Sequence, residues 1–443
     1  MKPSFKVLVK DKNARAGVIK TSHGDIETPA FIPVGTKATV KSLTSEQIRE
    51  IGPQVVLVNT YHLHLQPGED VIKKLGGLHS FMNWDKPMMS DSGGFQVFSL
   101  GIGLEKPGVK FLKDLDDGRS KVESRNLKIE DRKLIHRPSS IINNLSSTIY
   151  PLSSNDEPRP RLNKITEEGV EFQSHIDGSR RKLTPESSIA IQEKLGADLI
   201  IAFDDLESPT YSYEQTKKSL DLTNRWELRS LKAHLTFQGE AFQGEALRGK
   251  RPNQLLYGVT HGGEFEELRR KSAKFVNSNF DAVALGGAHK NKKNLYEVVE
   301  WTVCELDEDK PRHLLGVGEV DDIFESVARG IDTFDCVIPT RLGRMGHVFA
   351  GPPLGNIRNR FRYDITKSKF VSDEKSIDPK CQCWVCQNFS RAYVNHLFRS
   401  RELLAYTLAT YHNVYFMVNL TNQIRDSILN SQFEKLKKVW IKS

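Results

Sequence analysis

Eight short apolar runs, each closed by Gly, Asp, Asn or Thr, punctuate this chain at 31–36, 55–60, 88–91, 199–204, 255–260, 283–287, 314–318 and 334–340. Runs this short and this continuously apolar suit parallel strands buried on both faces. Between most of them lie helix-like segments with legible ends. Thr44 and Gln47 form a capping box ahead of Ile48 and Ile51, with Gly52 at the stop. Thr184 and Pro185 open another helix, in which Ile191 and Leu195 share a face and Gly196 closes it. Asp321 and Asp322 precede Ile323 and Val327, with Gly330 as terminator. Strand and helix alternating eight times predict an α/β fold, a (β/α)8 TIM barrel.

The periodicity lapses over 102–163, where Lys113-Asp114-Leu115-Asp116-Asp117 and Ser153-Ser154-Asn155-Asp156 are charged or polar. This stretch is expected to be an insertion, largely loop or disordered. Because it follows a barrel strand, it emerges on the face where barrel enzymes carry their chemistry, and it either touches substrate or stands as a solvated appendage. The remaining chain divides into 1–101 and 164–350, which build the barrel, and 351–443, which follows it.

In that last part Cys381, Cys383 and Cys386 fall within six residues. Thiolates in a C-x-C-x-x-C run can turn toward one point, and one further donor completes a closed tetrahedron around Zn2+. A disulfide fits less well, because adjacent turns of chain rarely give good disulfide geometry and nothing signals an oxidising compartment. His396 and His412 are both candidates for the fourth ligand. A zinc-binding subdomain near the C-terminus is therefore expected. Cys304 and Cys336 stand alone and read as small core residues.

A total of 64 Lys and Arg against 56 Asp and Glu gives a formal net charge of +8. That excess suits a polyanionic partner, or simply a basic soluble protein. The N-terminus lacks the apolar stretch of a secretory signal and no run is long enough to cross a bilayer, so a cytoplasmic protein without a membrane partner is expected.

Barrel enzymes carry their reactive groups at the carboxyl ends of strands, which here selects Asp91, Asp204, Asp205 and Asp335. Any single one could cap the next helix or turn. Four together, with glycines that let a flat ligand approach the backbone, favour a site. Asp91 begins Asp91-Ser92-Gly93-Gly94-Phe95-Gln96, where Phe95 offers a ring on which a base can stack. Asp335 is followed by Arg341, Arg344 and His347, so a reacting carboxylate would neighbour phosphate-binding side chains.

Asp91 to Gln96, Asn59-Thr60-Tyr61-His62-Leu63, Gly316-Val317-Gly318, the run from Asp332 to Arg341 and the cysteine cluster together resemble the tRNA-guanine transglycosylase family, bacterial type. The resemblance covers nearly the whole chain except the insertion. It implies a TIM barrel with a zinc subdomain, a homodimer, and exchange of the wobble guanine of a tRNA anticodon for a 7-deazaguanine. In bacterial members that base resembles 7-aminomethyl-7-deazaguanine, a queuosine precursor; eukaryotic relatives take queuine. Asp335 would be the nucleophile at the ribose anomeric carbon, and Asp91 the acid/base that also holds the base. Two displacements through a covalent ribosyl-aspartate retain configuration, much as in retaining glycosidases. No redox or nucleotide cofactor is implied, and the target base leaves its stack at little cost in an anticodon loop. By the same matching, Asp204 would grip the base edge, Phe95 would stack on it, Gly287 would lend a backbone contact and Leu315 would line the pocket. Arg341 and Arg344 would hold the anticodon, and zinc would take Cys381, Cys383, Cys386 and His412.

Some positions depart from the family pattern. His261 stands where the family has Gln, and it can still donate to a purine oxo group, with one donor and a titratable ring. Ala288 replaces an expected Leu, Leu206 an expected Cys, and an expected acid falls near Lys290 to Lys292, where a lysine would repel an aminomethyl cation. The incoming base is thus left open. Two other readings also stay open: a relative that places a deazaguanine elsewhere in tRNA or in DNA, and a non-catalytic tRNA-binding subunit. The kind that works in the tRNA core is expected to carry a further C-terminal RNA-binding domain, whereas this chain ends soon after the zinc region. A non-catalytic subunit is expected to lack Asp335 or Asp91.

Overall fold

The computed structural model describes residues 3–102, 163–240, 253–287 and 291–441. All eight apolar runs contribute to one closed barrel of parallel strands: Ala30–Gly35, Val56–Val58, Met88–Ser90, Leu199–Ile201, Leu255–Thr260, Ala282–Leu285, Arg312–Leu314 and Thr333–Cys336. Each strand pairs with its successor in sequence, and the eighth returns to pair Asp335 with Ile32 and close the ring. Alternation along the strands sorts the side chains. Ile32, Val34, Leu57, Met89, Ile201, Tyr257, Val259 and Ala284 fill the interior, while Val56, Val58, Met88, Ile200, Leu256, Val283 and Phe334 pack under the helices. Burial on both faces is why these runs are largely apolar rather than alternating.

Two of the runs are corrected at their edges. The seventh strand begins at Arg312, so 314–318 is its last residue and the loop after it. Its polar start hid it: the Arg312 guanidinium donates to the carbonyls of Leu306, Asp307 and Gly330, and the His313 Nδ1 bonds the Thr333 hydroxyl. The eighth strand stops at Cys336, and Ile338–Arg344 is a helix entered through Pro339 in its first turn, where a fixed φ suits the helix.

The expected helix ends are found. Thr44 and Gln47 cap one another reciprocally and Gly52 is left-handed at φ 87°; Thr184 caps the helix Pro185–Leu195, which stops at Gly196. Asp321 and Asp322 lie in the first turn of Val320–Val327, where acids suit the helix N-terminus.

Three antiparallel sheets escaped the run pattern, because their strands are half-exposed, very short or, in Ala14–Thr21, interrupted by Arg15, Gly17 and Lys20. Ser4–Asp11, Ala14–Thr21 and Gly24–Thr28 form one that plugs the amino end of the barrel, where Ile19 and Ile26 join the interior cluster. A second, Asn163–Ile165 with Val170–Gln173 and Arg180–Leu183, sets Phe172 against Tyr61 at 5.4 Å. The third pairs His347–Phe349 with Arg362–Asp364. Ile102 ends a helix and Asn163 begins a strand, and the expected insertion between them lies outside the described residues. The helix Leu403–Leu429 packs so closely on Ile338–Arg344 that a Cβ on Gly343 would come 2.8 Å from the Thr410 backbone. Among the described residues no helix is long and apolar enough to cross a membrane.

Barrel closure is tied by charge. Asp332, just before the eighth strand, accepts Arg15 Nε–H at 2.9 Å and the Arg312 amide at 2.7 Å, while its own carbonyl accepts the Ala30 amide at 2.9 Å. Both side chains are fully buried. Removing one partner strands the other charge, so Asp332→Ala is expected to cost about 3–5 kcal/mol in urea unfolding. A loss below about 1 kcal/mol would show that the seam is held by other contacts.

Candidate active site

Three of the four strand-end acids line the carboxyl mouth of the barrel. Asp91 follows the third strand, and its two oxygens accept from the Thr60 amide at 2.8 Å, the Gly93 amide at 3.2 Å, the Gln96 side chain at 2.7 Å and the Asn59 side chain. Burial pushes its carboxyl above the ordinary value, the hydrogen bonds pull it back, and the charge of Asp335 adds to the rise. Asp335 points inward by strand alternation, being in register with Ile32. The Gly316 amide donates to its Oδ1 at 2.8 Å, and the buried His313 Nε2 stands 3.3 Å from that oxygen. Asp204 follows the fourth strand and accepts from Ser92 Oγ at 3.1 Å and from His261 Nε2 at 2.8 Å. Asp205 turns away to Ser219 on the helix Tyr213–Glu240, where burial raises it to about 6.

Behind Asp204 lies a buried chain of charge. His261 Nδ1 is 3.8 Å from Glu207 Oε1; Glu207 accepts the Gly262 and Gly263 amides and, at 3.1 Å, Arg269 Nη2. Burial opposes the charge on His261, but hydrogen bonding to Asp204 and the acids around it prevail and push its pKa up to about 10. Burial likewise opposes the Glu207 carboxylate, and Arg269 overrides it, bringing it down to about 2. Gly287, at φ 96°, runs across this pair: a Cβ there would lie 2.5 Å from Arg269 Nη2 and 2.7 Å from Glu207 Oε1. Leu315 bonds through its amide to the Leu285 carbonyl at 3.2 Å and packs on the interior cluster. Phe95 is 45 % exposed near the start of the helix Gly94–Ile102.

Arg341 and Arg344 meet two cations that sequence reasoning missed, Lys37 and Lys41 on the loop after the first strand. Partial burial and the charges of Arg344, Arg341 and Lys37 lower the pKa of Lys41. Four cations crowd together without an ion pair among the described residues, beside the strand that carries Asp335. Also missed were Glu207, Arg269 and His313, whose partners are distant in sequence and left no local signal. Ala288 and Lys290 lie outside the described residues; Lys292 opens the helix Lys292–Val303 with its ammonium 2.6 Å from Asp321 and 3.3 Å from Asp322.

The cysteine cluster closes as a second centre. His412 Nδ1 lies 3.7, 3.5 and 3.3 Å from the sulfurs of Cys381, Cys383 and Cys386, and all four donors stand within 4.8 Å of one another. A tetrahedral zinc with its usual bonds places sulfur and nitrogen about 3.6 Å apart, so the four fit one ion. The other ring nitrogen of His412 bonds the Phe349 carbonyl at 2.8 Å, which fixes the tautomer a ligand needs. His396 is exposed and outside the cluster. Of the lone cysteines Cys336 is buried as expected, whereas Cys304 is exposed.

A closed parallel barrel with paired carboxylates at its mouth and a Cys3His centre behind it defines a barrel enzyme carrying a structural-type metal site. The family model described as queuine tRNA-ribosyltransferase matches residues 11–130 and 143–443, and the chain belongs to that family, whose members are transferases. Within 102–163 only 131–142 falls outside the match. The queuine tRNA-ribosyltransferase of Roseiflexus sp. (strain RS-1) is 40% identical, with 99% of each chain covered. That of Thermoanaerobacter pseudethanolicus is 38% identical over 99% of this chain and 96% of its own.

Because each thiolate would hold one corner of a metal's tetrahedron, Cys383→Ser is expected to lose metal, measured by elemental analysis of the purified protein, and to loosen the C-terminal part. Full zinc occupancy in that variant would require a different ligand set.

Proposed function

We propose that this protein is a tRNA-guanine transglycosylase that exchanges the wobble guanine of an anticodon for a 7-deazaguanine through a covalent ribosyl-aspartate. The observation that carries this reading is the pair Asp91 and Asp335 at the mouth of one barrel, close enough for the charge of one to raise the pKa of the other. One Asp335 oxygen attacks C1′ of the ribose as the C1′–N9 bond breaks, and the electron pair leaves with guanine, which takes a proton. Asp91, biased toward its protonated form by burial, supplies that proton and later accepts one from the incoming base. The second displacement breaks the ester, restores the carboxylate and returns the original configuration at C1′. The Gly316 amide holds one Asp335 oxygen, which favours a single attacking orientation.

Phe95, Asp204, Gly287 and Leu315 form the base pocket in this reading, and the anticodon phosphates sit over Lys37, Lys41, Arg341 and Arg344. Zn2+ held by Cys381, Cys383, Cys386 and His412 supplies structure, since a closed tetrahedron leaves no position for substrate. In this reading the working form is a homodimer, as the family resemblance implies, and it acts in the cytoplasm. Lys292, neutralised by Asp321 and Asp322, does not itself bar an aminomethyl base, and the choice among 7-substituents is left to assay.

Asp335→Asn is expected to abolish incorporation of radiolabelled guanine into an unmodified tRNA with a wobble guanine, while fold and tRNA affinity stay near wild type. Normal turnover by the variant would remove Asp335 as nucleophile. Label that persists after the wobble guanine is replaced would move the target elsewhere in the tRNA.

A further inference from the structure

We propose that His261 is a positioning residue: as the middle link of the chain Arg269–Glu207–His261–Asp204, it orients the Asp204 carboxylate as the acceptor for a base that presents two adjacent N–H donors. The inference rests on the reading of Asp204 as the group that meets the base edge. Its support is geometric. His261 is 1 % exposed, its Nε2 is 2.8 Å from Asp204 Oδ2 and its Nδ1 faces Glu207 Oε1 at 3.8 Å, so both ring nitrogens are turned to carboxylates and neither edge is left for the base. The Ser92 hydroxyl holds the other Asp204 oxygen. Each oxygen thus has one protein donor and keeps a lone pair for the ring N–H and exocyclic amine of a guanine-type edge.

Basic and acidic side chains alternate along the chain, with Arg269, Glu207 and His261 fully buried and Asp204 partly so, which is the arrangement that buried polar groups of this kind need. The other titratable groups around His261 do not break that balance. Asp205 is bonded to Ser219, and Glu227, on the helix Tyr213–Glu240, gives one oxygen to the Val259 amide and is pushed up by burial to about 8. Arg269 also donates to the Thr260 carbonyl at 3.2 Å and the Gly286 carbonyl at 2.8 Å. The same chain therefore fixes the Gly286–Gly287 turn, so the Asp204 and Gly287 contacts of the proposed pocket share one support. A glutamine at 261 could donate to Asp204 but would supply no charge between the two carboxylates.

The test is a mutant cycle in full-length enzyme with His261→Phe, Asp204→Asn and the double variant, reading KM and kcat for guanine together with formation of the covalent tRNA adduct. KM is expected to rise at least about tenfold in each single variant, with no further rise in the double, because His261 works through Asp204. The adduct should still form in the His261 single variants, since Asp335, Asp91 and Asp204 are untouched. His261→Gln, the milder change, should recover part of the loss and serves in the cycle if the phenylalanine variant fails to fold. Multiplying effects in the double variant, or an unchanged KM in the singles, would overturn the proposal. Absence of the adduct in wild type would instead sink the transglycosylase reading beneath it.

Discussion

Asp332 carries the seam on which the barrel depends. A ring of eight parallel strands has one junction between the end of the chain's barrel segment and its beginning, and nothing in local sequence brings those two strands together. Here the eighth strand meets the first through Asp332, whose carboxylate gathers Arg15 from the plugging sheet and the amide that starts the seventh strand. Arg15 spends its remaining donors on the carbonyls of Glu308 and Lys310. A buried pair this fully hydrogen-bonded gives little net stability over an apolar substitute, yet it penalises every register that leaves either charge unpaired. The register matters because Asp335 lies three residues on. A slip by one residue would turn Asp335 out of the barrel and Phe334 into it.

How much of this was legible follows from which forces act locally. The eight strands could be read because burial on both faces leaves a continuous apolar run, and the helix ends because Thr44, Gln47, Gly52, Thr184 and Gly196 act on their own neighbours. The seventh strand was displaced in the reading because Arg312 and His313 are buried with distant partners that repay their desolvation. The flanking sheets went unseen for a related reason: Ser4–Asp11 is half-exposed along its length and draws its stability from pairing across the hairpin. At the site, Asp91, Asp204 and Asp335 were visible as acids at strand ends. Asp205 stood equally well placed in sequence, and only the fold shows its carboxylate committed to Ser219. Glu207 and Arg269 were invisible, since 62 positions separate them and each alone looks like a solvated charge.

The metal centre bears on the site through the backbone rather than through chemistry. His412 and Asn413 stand side by side on the helix Leu403–Leu429 and reach into the segment that follows the eighth strand. His412 bonds the Phe349 carbonyl, and Asn413 accepts the Phe349 amide and donates to the carbonyls of Pro339 and His347. A metal that fixes His412 therefore fixes this helix against Ile338–Arg344, already in backbone contact at Gly343. That short helix carries Arg341 and Arg344 and begins directly after the strand of Asp335. The Cys3His cluster and the placement of Arg341 and Arg344 are in this way consecutive links of one path through the backbone. Four cations placed on successive elements gain from such a brace, because they repel one another and would otherwise push apart the loop and helix that hold them.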